Sequence, residues 1–515
     1  MLPRHIALLL LLAALSSALA GCEREPRYGP FDQWLVVGLE GNPTNLDPRF
    51  STDAYSSRLV GVIYSSLVRL DESGAPVGDL AENWETPDEV TYRFHLKGGV
   101  TFHNGSELTC ADIKYTYDLL RAPDSTSPYR SDFRLVENVV CNDERNIEIR
   151  LSHPFAPFMI ALTVGILPRG VDPATLSDHP VGSGPFRFVE WVREERIVLR
   201  RFAGYHGKKA RLDGVTFRVL PNGVTRVLEL AHGGVDLLQN SIPPEALDQL
   251  AQKKGIEMER RPGINYNYLG FNLDHPVLKN RLVREAIARA IDRQDIIKYL
   301  WRGSARPAGN LLSPSHWAYN PEVVAYPYTP DIAKKLLDDA GYPDPDGPGP
   351  DVRFGLTYKT STNRLRRRIA EVIKTQLAQV GIGIKVRSYE WGTFYRDIKS
   401  GNFELYSLAW VGVVEPDHYR AIFHSSNIPP NGTQMNRNRY RNKEIDRLTE
   451  AGRSTANVEK RKRIYAEVQR IAAYELPYVS LYYTDDVVAR RRYVKGWRIR
   501  PGGDFMCLPE VRIER

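Results

Sequence analysis

Amphipathic helices alternate with short strands along the chain, and that alternation is what most constrains its fold. In "RRIAEVIKTQLAQVG", Ile369, Val372, Ile373, Leu377 and Val380 recur at helical spacing and Gly381 stops the run. A strand pattern, "IGIKVRSYEW", returns at once and runs to Trp391. Val283, Ala286, Ile287, Ala290 and Ile291 form a second stripe, and "PDIAKKLLDDAG" places Asp331 at its start and Gly341 at its stop. Earlier, "WLVVGLE" (34–40), "TYRFHLK" (91–97) and "NIEIRL" (146–151) read as strands. Thr109 with Asp112 predicts a helix cap, after which Ile113, Thr116, Tyr117 and Leu120 share a face. Helices interleaved with strands pack onto sheet faces, so the chain is read as α/β with mixed or parallel sheets. At 515 residues it exceeds a single small core and predicts two or more domains.

The N-terminus carries Arg4, an apolar run over 6–15 and a small-residue exit over 16–21. This is an export signal (1–21), too short for a spanning helix of about 20 residues. "Leu19-Ala20-Gly21-Cys22" is similar to a bacterial lipobox, in which the Cys22 thiol is lipidated and becomes the new N-terminus. Removing Arg4 with the signal lowers the formal net charge from +8 to +7. Residues 22–33, polar with Pro and Gly, read as a tether. Export places the remaining Cys110, Cys141 and Cys507 in an oxidising compartment, where Cys110–Cys141 is a candidate disulfide and three buried thiols are the alternative.

The sequence offers few tools for catalysis. It contains no GxSxG elbow, no HExxH, no phosphate-binding GxxxxGK[ST] and no complete GxGxxG. Its histidines are scattered, and no Cys/His spacing suggests a metal site or calls for a cofactor. The basic runs at 364–368 and 490–492 read as solvated faces, and nucleic acid is not an expected partner of an exported lipoprotein. What the chain has in quantity is aromatic surface, with 27 Tyr, 17 Phe and 8 Trp. A cleft lined by some of these suits an extended organic ligand.

Several stretches together resemble the bacterial extracellular solute-binding proteins of family 5, the oligopeptide/dipeptide/nickel class that serves ABC importers. They are "LAENWETPDEVTYRFHLKGGVTFHNGSELTCADIKYTYDLL" (80–120), "GSGPFRFVEW" (182–191), "VREAIARAIDRQDII" (283–297), "YTPDIAKKLLDDAGYP" (328–343) and "YEWGTFYRDIKSGNFELYSLAW" (389–410), in that order. The resemblance implies a two-lobed α/β fold with mixed sheets, an extra subdomain and a hinge between lobes. Lobe I is then expected at 31–63, 180–265 and 484–515, the extra subdomain at 64–179, and lobe II at 266–483. The chain is expected to cross between lobes near 265–271 and 480–485. The implied function is capture of a small peptide or peptide-like ligand and its delivery to a membrane permease. The protein would be a monomer, lipid-anchored on the periplasmic side of a bacterial membrane, with no catalytic residue.

Carried over one position at a time, the resemblance makes Trp410 and Trp391 pocket walls, with Trp391 on the preceding strand. It brings Tyr129 in from the extra subdomain, sets Tyr483 at the second crossing, and offers backbone at Thr52, Asp53 and Ala54. Arg364 and Arg366 fall where relatives direct cations toward a carboxylate, which an arginine fork suits. One departure stands out. Relatives that bind peptides place an aspartate three residues after the tryptophan, against the peptide ammonium; here that residue is Val413. Glu415 and Asp53 are the candidate substitutes. Val413 keeps open a non-peptide ligand such as an oligosaccharide, opine or metal chelate. A secreted hydrolase, or a chaperone or signalling receptor on the same fold, are the readings from other classes.

Overall fold

A computed structural model describes residues 33–515 apart from Ser73, Pro348 and Thr433. The export signal and Cys22 lie outside the described residues. Two long strands, Ile256–Phe271 and Tyr478–Arg491, pair antiparallel from Ile256 opposite Arg491 to Gly270 opposite Tyr478. Around this pair an 11-stranded sheet is built. On one side follow Leu405–Trp410, Phe354–Ser361 and Ile382–Tyr389; on the other follow Leu237–Gln239, Trp34–Leu39, Gly214–Val219, Arg196–Arg201 and Phe186–Val192, and Ala305–Pro307 pairs with Tyr478–Arg491 off this path. Parallel and antiparallel pairs are both present, as the alternation of elements predicts. A separate four-stranded antiparallel sheet contains Ala81–Glu85, Thr91–Leu96, Asn146–Leu151 and Val136–Cys141.

The expected local signals are present. Thr109 and Asp112 form the capping box of the helix Cys110–Arg121, which buries Ile113, Thr116, Tyr117 and Leu120. The helix Arg364–Ala378 buries Ile369, Ile373 and Leu377, and Gly381 follows it at φ +82°. The stripe from Val283 to Ile291 is buried, although the helix itself ends at Ala290 and Asp292 caps a new turn. One expectation is corrected. The strand Ile382–Tyr389 stops short of Trp391 because the Glu390 side chain accepts the Gly392 N–H and starts the helix Trp391–Ser400.

Buried apolar residues fall into separate clusters. One is drawn from 67–166, over the four-stranded sheet. Two are drawn from 266–483, on opposite faces of one end of the large sheet. The rest, at the other end, come from the segments 34–64, 167–256 and 488–513. The long strand pair is what joins these ends, and its register breaks between Arg261 and Asn265. Pro262 there has no N–H to donate, and a Cβ on Gly263 would stand 2.4 Å from the Thr484 carbonyl oxygen. The backbones approach too closely for any side chain at that point.

Asp486 sits beside this break and is 2% exposed. It accepts a 2.7 Å hydrogen bond from Asn240 Nδ2. Burial pushes its carboxyl up to about 6, against the pull of Asn240 and Arg58. Because the folded value lies above the unfolded one, its contribution to stability is full below the unfolded value and is lost as pH rises through about 6. Asp486→Asn is therefore expected to raise unfolding free energy by up to about 3 kcal/mol at pH 8 and by little at pH 4, measured by denaturant titration.

Cys110 and Cys141 form a disulfide that ties the start of a helix to the end of a strand, and Cys507 is a buried free thiol. Desolvation pushes the Cys507 thiol up to about 12. Of these residues, a thiol reagent should label none in the native protein, Cys507 alone after denaturation, and Cys110 and Cys141 as well once reductant is added. Closing a loop with sequence separation 31 contributes about 3–4 kcal/mol in the chain-entropy account, so Cys110→Ser with Cys141→Ser should lower stability by about that amount.

A candidate solute-binding cleft

Strand register decides where the sheet can hold a ligand. Phe354–Ser361 runs parallel to both Ile382–Tyr389 and Leu405–Trp410, so the three carboxyl ends lie side by side. At the other end of the sheet, Trp34–Leu39 is parallel to Gly214–Val219 and Leu237–Gln239. Tyr266 is opposite both Trp410 and Tyr483, while Gln239 is opposite Val488 and Asn240 N–H donates to the Val487 carbonyl. Both sets of carboxyl ends therefore face the same short stretch of the crossing strand. Open α/β sheets bind ligands in the crevice outside such ends.

The loop after Trp410 connects this region to everything around it. Gly412 N–H donates to Asn265 Oδ1 at 3.1 Å. Gly412 and Gly502 both have positive φ and meet backbone to backbone, a Cβ on Gly502 falling 3.6 Å from Gly412 Cα. The Val414 carbonyl accepts from His316 Nε2 at 3.1 Å, and burial lowers that imidazole to about 4, so it is neutral near pH 7. Asp417 meets Arg453 Nε at 3.4 Å, and Arg453 Nη2 reaches Asp132 at 3.3 Å. The Arg453 guanidinium also covers the Phe155 ring at 4.6 Å, and its carbonyl accepts from Ala156 N–H at 2.8 Å. One arginine thus joins the second half of the large sheet to the four-stranded unit.

The residues singled out from the sequence take different positions around this convergence. Trp410 ends its strand, 9% exposed, stacked on Tyr268 with ring centroids 6.1 Å apart. Trp391 opens its helix and is 51% exposed. Tyr129 donates its hydroxyl to the Ser51 carbonyl at 3.0 Å, which brings it beside Thr52, an exposed residue. Asp53 caps the helix Ala54–Ile63 by accepting from Tyr55 and Ser56 N–H, and its other oxygen accepts from Thr44 Oγ1 at 2.7 Å. Glu415 is held by both terminal nitrogens of Arg461, and burial raises its carboxyl above the usual range. The two acids considered as substitutes at Val413 are thus already engaged. Tyr483 is buried and donates to the carbonyls of Asn310 and Leu312, at 2.5 and 2.6 Å. Arg364 begins its helix and is exposed, as are Arg367 and Arg368, while Arg366 is half-buried near the Tyr358 and Tyr482 hydroxyls.

Sequence reasoning missed Arg453, Asp132, Asp486 and Arg437. Each comes from a segment without a motif, and each matters through partners far away in the chain. A basic residue in the polar run "QMNRNRYRNKE" carries no mark that it is buried.

The model of bacterial extracellular solute-binding proteins, family 5, matches residues 75–429. The oligopeptide-binding protein AppA of Bacillus subtilis is 29% identical over 92% of this chain and 90% of its own length. The dipeptide-binding protein of Escherichia coli is 27% identical over 91% of this chain and 92% of its own. The structure of the Helicobacter pylori periplasmic binding protein DppA with the peptide STSA superposes with a TM-score of 0.82 at 28% identity, covering 94% of this chain and 98% of that one. With the two-part sheet and its facing carboxyl ends, these matches establish that the chain belongs to the family 5 bacterial extracellular solute-binding proteins.

Proposed function

We propose that this protein is a lipid-anchored, periplasmic receptor that closes two lobes around a peptide or peptide-like ligand and delivers it to an ABC importer. The observation that carries this reading is the end-to-end likeness to peptide-binding relatives on a sheet whose carboxyl ends converge. Lobe I corresponds to 31–63, 180–265 and 484–515, the extra subdomain to 64–179, and lobe II to 266–483. The grouping of buried residues supports this division, with Tyr64, Leu167 and Leu176 at the seam. Trp410, Trp391, Tyr129, Arg364 and Arg366 border the cleft, together with backbone at 52–54. Tyr483 supports it from beneath through its bonds to the 310–312 loop. Placing arginines at the N-terminus of a helix is unfavourable to the helix itself, which supports a role in attracting an anion. The tether and lipid on Cys22 would hold the receptor at the membrane as a monomer.

A second reading keeps the receptor and changes the cargo to a non-peptide. Val413 favours it, because the acids nearby are spent on Arg461 and on a helix cap. Mass spectrometry of whatever is released on denaturing the purified protein separates the two. A mixture of short peptides is expected; a single non-peptide compound would replace the first reading by the second. Val413→Asp should raise affinity for free-amine peptides by about tenfold or more if the pocket otherwise accepts them, since a paired buried ammonium avoids a cost of several kcal/mol. Unchanged affinity by calorimetry would show that the amine does not lie there. Closure is tested separately: Arg453→Ala should weaken ligand binding and enlarge the ligand-bound radius of gyration in X-ray scattering.

A further inference from the structure

Close to Trp410 lies a buried cation with no counter-charge among the described residues. Arg437 is 6% exposed. Among the described residues its guanidinium makes one hydrogen bond, from Nη2 to the Tyr395 hydroxyl at 2.8 Å, and no carboxylate is within ion-pair distance. The guanidinium carbon lies 4.9 Å from the Trp410 ring centroid and 5.0 Å from that of Tyr395. Tyr395 stacks on Trp391 at 5.4 Å, and Trp410 on Tyr268 at 6.1 Å. Trp391, Tyr395, Arg437, Trp410 and Tyr268 thus form a chain of ring contacts from an exposed indole to a buried phenol.

The polar groups around Arg437 are uncharged: the hydroxyls of Tyr268, Tyr395, Tyr406 and Tyr478, and the His418 imidazole. Among the described residues, Arg437 Nε and His418 Nε2 are buried without a hydrogen-bond partner. His418 meets Trp410 edge-on at 4.6 Å, and burial together with Arg437 keeps that imidazole neutral. A buried guanidinium without a counter-charge costs several kcal/mol, and aromatic faces offset only part of that. With its carbon over two aromatic rings and Nε unpaired among the described residues, the guanidinium keeps N–H groups through which a charge can be matched. The backbone that carries Arg437 is held firmly on both sides. Asn436 Nδ2 donates to the His424 and Tyr440 carbonyls, and Asn438 Nδ2 donates to the Pro477 carbonyl while its Oδ1 accepts from Tyr406. The site is therefore preorganised, beside the carboxyl end of the strand that ends at Trp410.

We propose that Arg437 anchors a carboxylate of the transported ligand, between the Tyr395 and Trp410 rings. This rests on the reading of the cleft as the ligand site and gives the ligand a chemical class. Lobe II then presents a cation beside its tryptophan and an apolar Val413 where an acid would receive an ammonium. It selects for a negative group on the ligand.

Small probes test this without knowledge of the ligand. The full protein, produced with 15N-labelled tryptophan, is unfolded, freed of carried-over ligand and refolded. Acetate is titrated against acetamide while the Trp410 indole N–H resonance, assigned with Trp410→Phe, is followed. A saturable shift with acetate is expected, with acetamide at least about tenfold weaker. Arg437→Gln should abolish the shift and Arg437→Lys should keep a weaker one. An equal response to acetate and acetamide in the unmodified protein overturns the proposal and needs no variant. So does a folded Arg437→Gln protein that still responds to acetate, because Arg437 then serves packing alone. Acetate binding in a protein that takes up no peptide would leave the anion site standing and remove the peptide reading. Peptides that bind as well with a C-terminal amide as with the free acid, without an acetate response, would do the reverse.

Discussion

The fold depends on one pairing, that of Ile256–Phe271 with Tyr478–Arg491. Every other strand of the large sheet is attached to one side of this pair or the other. The pair carries a hydrophobic end on either side, and its ladder is interrupted between Arg261 and Asn265. Pro262 and Gly263 account for that interruption, since one removes a ladder donor and the other lets the backbones approach where a Cβ would strike the Thr484 oxygen. The cleft follows from the same pairing. Its position beside the break is set by the register that places Trp410 opposite Tyr266 and Gln239 opposite Val488.

The aromatic wealth of the chain divides between support and surface. Tyr266, Tyr268, Tyr406, Tyr478 and Tyr483 are buried on the sheet face that also carries Trp410. They fill the space under the helices Trp391–Ser400 and Val458–Glu475, and several stack on one another. Such a core is stiff, because stacked rings cannot repack without opening voids. A stiff floor holds the side chains above it, Trp410 among them, in fixed positions.

Charge is handled differently at the cleft and away from it. Arginines away from it are matched, as Arg289 is by Glu285 and Arg353 by Asp338. Others are satisfied by carbonyls, as Arg284 and Arg293 are. Around the convergence the matching loosens. Burial raises the Asp486 carboxyl, Arg453 is shared between acids on two units, and no acid among the described residues pairs with Arg437. A folded protein keeps such groups at a cost.

By itself the sequence determined the α/β class, the helix stripes and caps, and the ordered landmarks of the family. These are local in origin: a capping box needs residues three apart, and a stripe needs a fixed period. It also placed Val413 three residues after Trp410, where the family resemblance leads one to expect an acid. Only the tertiary structure decided that Glu415 and Asp53 are already engaged, and that Trp391 opens a helix rather than ending a strand. The reason for the first is distance along the chain: Arg461 reaches Glu415 from 46 residues away. The same holds for the burial of Arg437 between Tyr395 and Trp410 and for the bridge from Arg453 to Asp132. Whether a polar residue faces water, a partner or a cleft depends on what distant segments bring against it, and no local pattern records that.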